Sequence, residues 1–216
     1  MYSTFSNDGC KAFCGFHANT KSVRFRCKLL LDRPWYRIEV KPPRVVCQFL
    51  DYESGKLAKK PDRVVAGKGA LAARLTYWLM LLIEKEGVIT FVKKGEPPRG
   101  CTLEVEAVEP PRAAFLIKDE SIDLVEPGGL PPHVLESLKR RAMRSYAALR
   151  RFFEERSLCL EAVFLEFARF YTDYALVGAL SGDTLLVLRD GEVLDTYALH
   201  RELQPWLMQE CGGTEE

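Results

Sequence analysis

Leu158-Cys159-Leu160-Glu161-Ala162-Val163-Phe164-Leu165-Glu166-Phe167-Ala168-Arg169-Phe170 is the stretch that sets the fold of this chain. It is rich in Leu, Val and Phe and follows the longest helical pattern in the sequence, so it reads as a buried strand delivered by a helix. Two carboxylates, Glu161 and Glu166, stand in it. An unpaired carboxylate is costly to bury, so each must reach the surface, a cation or a metal.

Upstream, Pro131-Pro132 opens a helix expected to run to about Glu155, because proline suits a first helical turn. Leu135, Leu138, Ala142, Tyr146, Leu149 and Phe153 recur at helical spacing and form its apolar stripe. Arg140, Arg141, Arg144, Arg150 and Arg151 fall on other faces. Balanced by Glu136, Glu154 and Glu155, they read as a solvated face rather than a nucleic-acid surface. Further upstream, Leu103 to Val108 and Ala113 to Lys118 read as strands split by Pro110-Pro111, and Asp119 to Gly129 as an acidic loop. Downstream, Tyr171 to Leu180 leads into a strand at Thr184 to Leu188. Asp190-Gly191 makes a turn, and a short amphipathic helix spans about Leu199 to Met208.

Ahead of the Glu96-Pro97-Pro98-Arg99-Gly100 linker the pattern changes. Val23 to Leu31, Trp35 to Val40 and Val45 to Leu50 are strand-like runs separated by proline-bearing turns, an antiparallel meander. Residues 52–66 read as a loop whose Lys56, Lys59 and Lys60 are solvated or face a phosphate. Gly67-Lys68-Gly69 opens a helix to about Glu86 that is apolar on most sides, and Val88 to Val92 then reads as a strand. A Gly-x-Gly before a helix can cradle phosphate, but without a preceding strand or a third glycine the dinucleotide signal is weak. Cys10, Cys14, His17 and Cys27 are close enough to hold zinc, yet match no strong zinc spacing; free thiols are the simpler expectation, and metal binding or disulfides stay open.

The 216 residues suffice for one substantial domain or two subdomains sharing a core. With 47% hydrophobic and 28% charged residues the composition is that of a globular protein, and a net charge of +1 argues against a nucleic-acid or anionic-membrane partner. No apolar run is long enough to span a bilayer, and the polar N-terminus carries no export signal. A cytoplasmic protein is expected.

Several segments, in order, resemble the SAICAR synthetase family (phosphoribosylaminoimidazole-succinocarboxamide synthase of purine biosynthesis). Thr20-Lys21-Ser22-Val23 is similar to its Gly-Lys-x-Lys-x-Val-Tyr start, and Gly67-Lys68-Gly69 to its Gly-Lys-Gly helix start. Gly87-Val88-Ile89-Thr90-Phe91 resembles its Gly-Ile-Pro-Thr-His strand. Leu103-Glu104-Val105 matches its Leu-Glu-Val, and Lys118-Asp119-Glu120 is similar to its Lys-Asp-Asp. Ala162 to Ala168 falls on its Asp-Phe-Lys-Leu-Glu-Phe-Gly, and Asp190 to Asp195 on its Asp-Glu-x-Ser-Pro-Asp. The resemblance implies an α+β, two-lobed fold. An N-terminal antiparallel sheet with a buried helix (residues 1–98) and a C-terminal α+β lobe with the long helix 132–155 (residues 99–216) would enclose an ATP cleft.

It also implies an ATP-dependent carbon–nitrogen ligase that joins aspartate to carboxyaminoimidazole ribotide, giving SAICAR, ADP and phosphate. A carboxylate is a poor acyl donor until one oxygen becomes a phosphate leaving group, which calls for ATP, Mg²⁺ and stabilising cations. By position, Glu166 and Asp190 would hold Mg²⁺ and ATP, Lys21 would contact phosphate, Lys118 would stand at the active-site rim, and Asp195 would end the Ser-Pro-Asp turn. The implied partners are the small molecules aminoimidazole ribotide and aspartate, with self-association left open and neither nucleic acid nor membrane. There are departures. Ala162 and Phe164 stand where the family strand has Asp and Lys. Ala18 and Asn19 replace the first Gly-Lys, Val193-Leu194 replaces Ser-Pro, and Ala198 replaces an arginine. The family's Val-Arg-Asn substrate loop shrinks to Val108-Glu109-Pro110-Pro111, where Arg112 could compensate. A degraded or re-purposed paralog that still binds Mg-nucleotide, or serves as an interaction module, is the alternative.

Overall fold

The computed structural model describes residues 28–54 and 61–210. Lys21, the Cys10, Cys14, His17 and Cys27 group, and Lys56, Lys59 and Lys60 lie outside the described residues.

Strands β1 (Lys28–Arg33), β2 (Tyr36–Lys41) and β3 (Arg44–Phe49) form the antiparallel meander. Its turns fall at Pro34 and at Pro42-Pro43, where a missing N–H costs no ladder bond. A small ribbon follows where the sequence suggested loop: β4 (Tyr52–Ser54) with β5 (Pro61–Val64). Helix α1 (Lys68–Glu84) buries Ala72, Ala73, Leu75, Thr76, Tyr77, Leu79, Met80 and Ile83, as a nearly all-round apolar helix must. Strand β6 (Thr102–Val105) then returns to pair with β3, giving the sheet order β1-β2-β3-β6. The expected lobe boundary at 98/99 therefore falls short of the sheet's last strand. Leu103 and Val105 are buried, and β6 packs on α1 as β3 does. Val88 to Val92 makes only single bridges, Thr90 to Leu176 in the second sheet and Val92 to Val105 in the first, so it stitches the two sheets together.

The second sheet contains β7 (Glu109–Lys118), β8 (Ser121–Glu126), β9 (Cys159–Phe170), β10 (Asp173–Val177), β11 (Leu185–Arg189) and β12 (Glu192–Val193). The acidic stretch expected as a loop is in fact the return strand of a hairpin. Asp119 and Glu120 both take positive φ, the conformation a two-residue hairpin turn demands. Strand β9 is central: β7 pairs along one edge, while β11 and then β10 share the other. Residues 162–168 are all buried, the mark of a strand covered on both faces.

Helix α2 (Pro132–Glu154) lies against β7 and β9 and buries Leu138, Ala142, Tyr146, Leu149 and Phe153. Four of its arginines have partners off the apolar stripe. Arg141 pairs with Asp173, Arg150 with Glu120 and Glu154, and Arg151 with Glu86, while Arg144 donates to the Glu86 carbonyl. Helix α3 (Thr196–Glu210) closes the chain against α1. No helix among the described residues is long and apolar enough to cross a membrane. The architecture is α+β: the described residues form two antiparallel sheets, a two-stranded ribbon and three helices.

Candidate active site

Glu166 sits in the middle of β9 with 3% of its surface exposed, so its charge must be answered locally. Arg33, at the end of β1 in the other sheet, answers it. Its Nε and Nη2 donate to Oε1 of Glu166 at 2.9 and 2.5 Å. The hydroxyl of Tyr36 on β2 donates to Oε2 at 2.7 Å. Arg33 Nη2 also donates to both oxygens of Glu126 on β8 at 2.9 Å, and Arg112 Nε stands 3.5 Å from Glu126. These are charge-assisted contacts in a partly dry site. Burial works against the charge of Arg33, but the hydrogen bond to Glu126 and the neighbouring Glu166 outweigh it and keep the guanidinium protonated. The hydrogen bond from Arg33 holds the Glu126 carboxyl below its ordinary value. Burial, reinforced by the Glu166 charge, pushes the Tyr36 phenol well above its ordinary value, so it stays a donor. Tyr36→Phe strands one oxygen of a buried carboxylate; the expected loss is about 1–3 kcal/mol of unfolding free energy, measured by urea titration.

The family-implied Mg²⁺ does not fit this arrangement. Both oxygens of Glu166 are engaged by the guanidinium and the phenol, and among the described residues no three His, Cys, Asp or Glu side chains are grouped to hold a metal ion. Asp190, the expected second ligand, is 95% exposed beyond the end of β11. In register, Leu188 of β11 lies opposite Cys159, while Glu166 lies opposite Ala114 and Val177. At about 3.3 Å per residue, that places Leu188 about 23 Å along the sheet from Glu166, and Asp190 lies two residues further on. The two carboxylates are not brought together. Asp190 has φ 52° and leads the tight β11–β12 turn.

Lys118 is likewise placed away from Glu166, and Asp195 serves as a helix cap. Lys118 is exposed at the β7–β8 hairpin, opposite Ala162, and its carbonyl accepts from Ser121 Oγ. Four strand residues, roughly 13 Å, separate it from the Ala114 position beside Glu166. Asp195 caps α3, its Oδ1 accepting from the backbone N–H of Ala198 at 2.7 Å. As a helix cap, Asp195→Ala is expected to cost about 1 kcal/mol, read as a shift of the urea midpoint.

Three positions that carry the centre or the buried core were missed in the sequence. Residue 178 is the place from which a second carboxylate could reach Glu166, and it is glycine. A Cβ there would come 2.9 Å from Tyr36 Oη and 3.3 Å from Glu166 Oε2, and the φ of +93° favours glycine as well. The second is Arg33, which was read only as part of a turn. The third is Asp183, whose Oδ2 accepts from Lys68 Nζ inside the core. One signal was available: Ser181-Gly182-Asp183 has the Ser-x-Asp form of the family's Ser-Pro-Asp turn. With the motif set there, its Asp-Glu opening becomes Gly178-Ala179 and its closing Asp becomes Asp183. That setting lies twelve residues ahead of Asp190 to Asp195.

The Gly-Lys-Gly segment is not an open phosphate cradle. The carboxylate of Asp51 accepts from the N–H groups of Gly67 at 3.1 Å and Gly69 at 2.7 Å. A Cβ on residue 69 would sit 2.7 Å from the Phe49 carbonyl, so only glycine allows this approach. The Lys68 ammonium turns inward to Asp183 and the Tyr52 carbonyl.

Between the two sheets lies a cavity of about 270 Å³. Leu30, Leu31, Val108 and Ala168 give it apolar walls, and Asp32, Glu109 and Arg112 line it with charge. No protein-family model matches the chain. A curated phosphoribosylaminoimidazole-succinocarboxamide synthase of Pyrobaculum calidifontis is 28% identical over 165 residues, spanning 60% of this chain and 69% of that protein. In solved structures, the fold matches a SAICAR synthetase in complex with ADP at a TM-score of 0.66 and 16% identity, covering 88% of this chain and all of that one. A phosphoribosylaminoimidazole-succinocarboxamide synthase from Ehrlichia chaffeensis matches to the same extent, with a TM-score of 0.66, 16% identity and coverage of 88% and 100%. Its sequence relative and its ordered motifs resemble the SAICAR synthetase family, and the chain shares the fold of the solved SAICAR synthetases.

Proposed function

We propose that the chain binds a nucleotide in the cavity between its sheets and acts as an ATP-dependent carbon–nitrogen ligase of purine biosynthesis. The reaction joins aspartate to carboxyaminoimidazole ribotide. The ribotide carboxylate takes the γ-phosphoryl group of ATP and ADP leaves; the aspartate amine then attacks the acyl carbon and phosphate leaves. The observation that carries this reading is the cavity itself, with apolar walls from β1, the start of β7 and β9 and with Arg112 among its lining residues. A flat base suits such walls, and a guanidinium suits a phosphate or carboxylate. The ADP complex of the structural relative supports nucleotide use on this fold.

The test is turnover with carboxyaminoimidazole ribotide, aspartate and ATP, read as ADP release that requires both co-substrates. A second reading is favoured by one observation: Glu166 already has its cation in Arg33 and no second carboxylate beside it at residue 178. Under that reading the chain binds nucleotide without turnover. ATP would then raise the melting temperature while no ADP is released. Neither effect at millimolar ATP would overturn both readings.

A further inference from the structure

The mismatch at Glu166 has a consistent chemistry of its own. Arg33 Nη2 touches Glu126 Oε2 at 2.9 Å and Glu166 Oε1 at 2.5 Å, so carboxylates from two strands converge on one nitrogen. Two convergent carboxylates are what a hard divalent cation seeks. Here the point of convergence is filled by a guanidinium that reaches across from the other sheet. The space nearest the other oxygen of Glu166 is filled by the Tyr36 hydroxyl, which leaves no room for a side chain on residue 178. Charge is balanced as well. Arg33 and Arg112 face Glu126 and Glu166, two positive against two negative, with no metal required.

We propose that Arg33 replaces a divalent cation in this chain: it holds Glu126 and Glu166 together across the two sheets, and nucleotide binding in the adjoining cavity is independent of Mg²⁺. The metal half of this stands on the Glu126–Arg33–Glu166 geometry alone; the nucleotide half rests on the proposed nucleotide site. Two consequences follow. The wild-type protein holds no divalent ion at this point. Removing the guanidinium leaves Glu126 and Glu166 facing one another, which creates a cation site.

Mn²⁺ titration followed by electron paramagnetic resonance reads the first half without any nucleotide. The expected result is no bound Mn²⁺ on wild type up to millimolar concentration and one bound ion on Arg33→Ala. Equal stoichiometric binding by both proteins overturns the replacement. Calorimetric titration of wild type with ADP, in excess EDTA and in excess Mg²⁺, reads the second half and does not depend on the variant folding. Dissociation constants within about threefold of each other are expected. A loss of about tenfold or more in EDTA overturns metal independence and leaves the nucleotide site standing. ADP binding in neither buffer overturns the nucleotide half together with the nucleotide site on which it rests, while the Mn²⁺ result still decides the metal half.

Discussion

Replacing Lys68 by alanine is expected to remove about 3–5 kcal/mol of folding stability. Lys68 and Asp183 are 1% and 2% exposed, and their side chains bond directly in the interior between α1 and the turn after β10. Lys68 also donates to the Tyr52 carbonyl, and Ser181 Oγ donates to Asp183 at 3.1 Å. The expected loss comes less from the attraction between the pair than from what removal leaves behind, a buried carboxylate without its cation. Urea unfolding gives the number, and a cycle with Asp183→Asn separates the causes. If stranded charge dominates, adding Asp183→Asn to Lys68→Ala recovers part of the loss. A Lys68→Ala variant within about 0.5 kcal/mol of wild type would show that the pair is not buried as described.

Phe167→Ala is expected to cost about 3–5 kcal/mol, the range for deleting a buried aromatic ring. Phe167 is 0% exposed, next to Glu166 in β9 and opposite Ala113 and Leu176 in register. Its ring meets Phe115 edge to face with centroids 6.1 Å apart. Neighbouring strand residues point to opposite faces, so the ring packs on the face away from the Glu166 carboxylate. The variant therefore separates structure from site. Stability falls steeply in urea, while in the protein that remains folded Arg33 still excludes Mn²⁺. A loss below about 1 kcal/mol would mean β9 is not central to the core.

Much of the architecture was legible along the chain. The apolar run at Leu158 to Phe170 is β9, and the helical stripe from Leu135 to Phe153 is the buried face of α2. Proline turns divided the meander as expected, because proline removes the donor a ladder needs. Strand β8 was not legible. Its Ile122, Leu124 and Val125 are flanked by Asp119, Glu120 and Gly128, and the turn chemistry of two positive-φ acidic residues is uncommon. The site was less legible still. Glu166 was recognisable as a carboxylate needing a partner, but Asp190, the partner that motif order implies, stands exposed beyond the end of β11.

The requirement that Glu166 find a cation follows from the sequence by itself, since a carboxylate inside Ala162 to Ala168 cannot be buried alone. Which cation it finds was decided only by the tertiary structure. Arg33 lies 133 residues away in the chain and Glu126 lies 93 residues from Arg33. No periodicity spans such distances. They meet because the β1–β2 turn of one sheet is seated over β8 and β9 of the other, and because residue 178 has no side chain to stand between Tyr36 and Glu166.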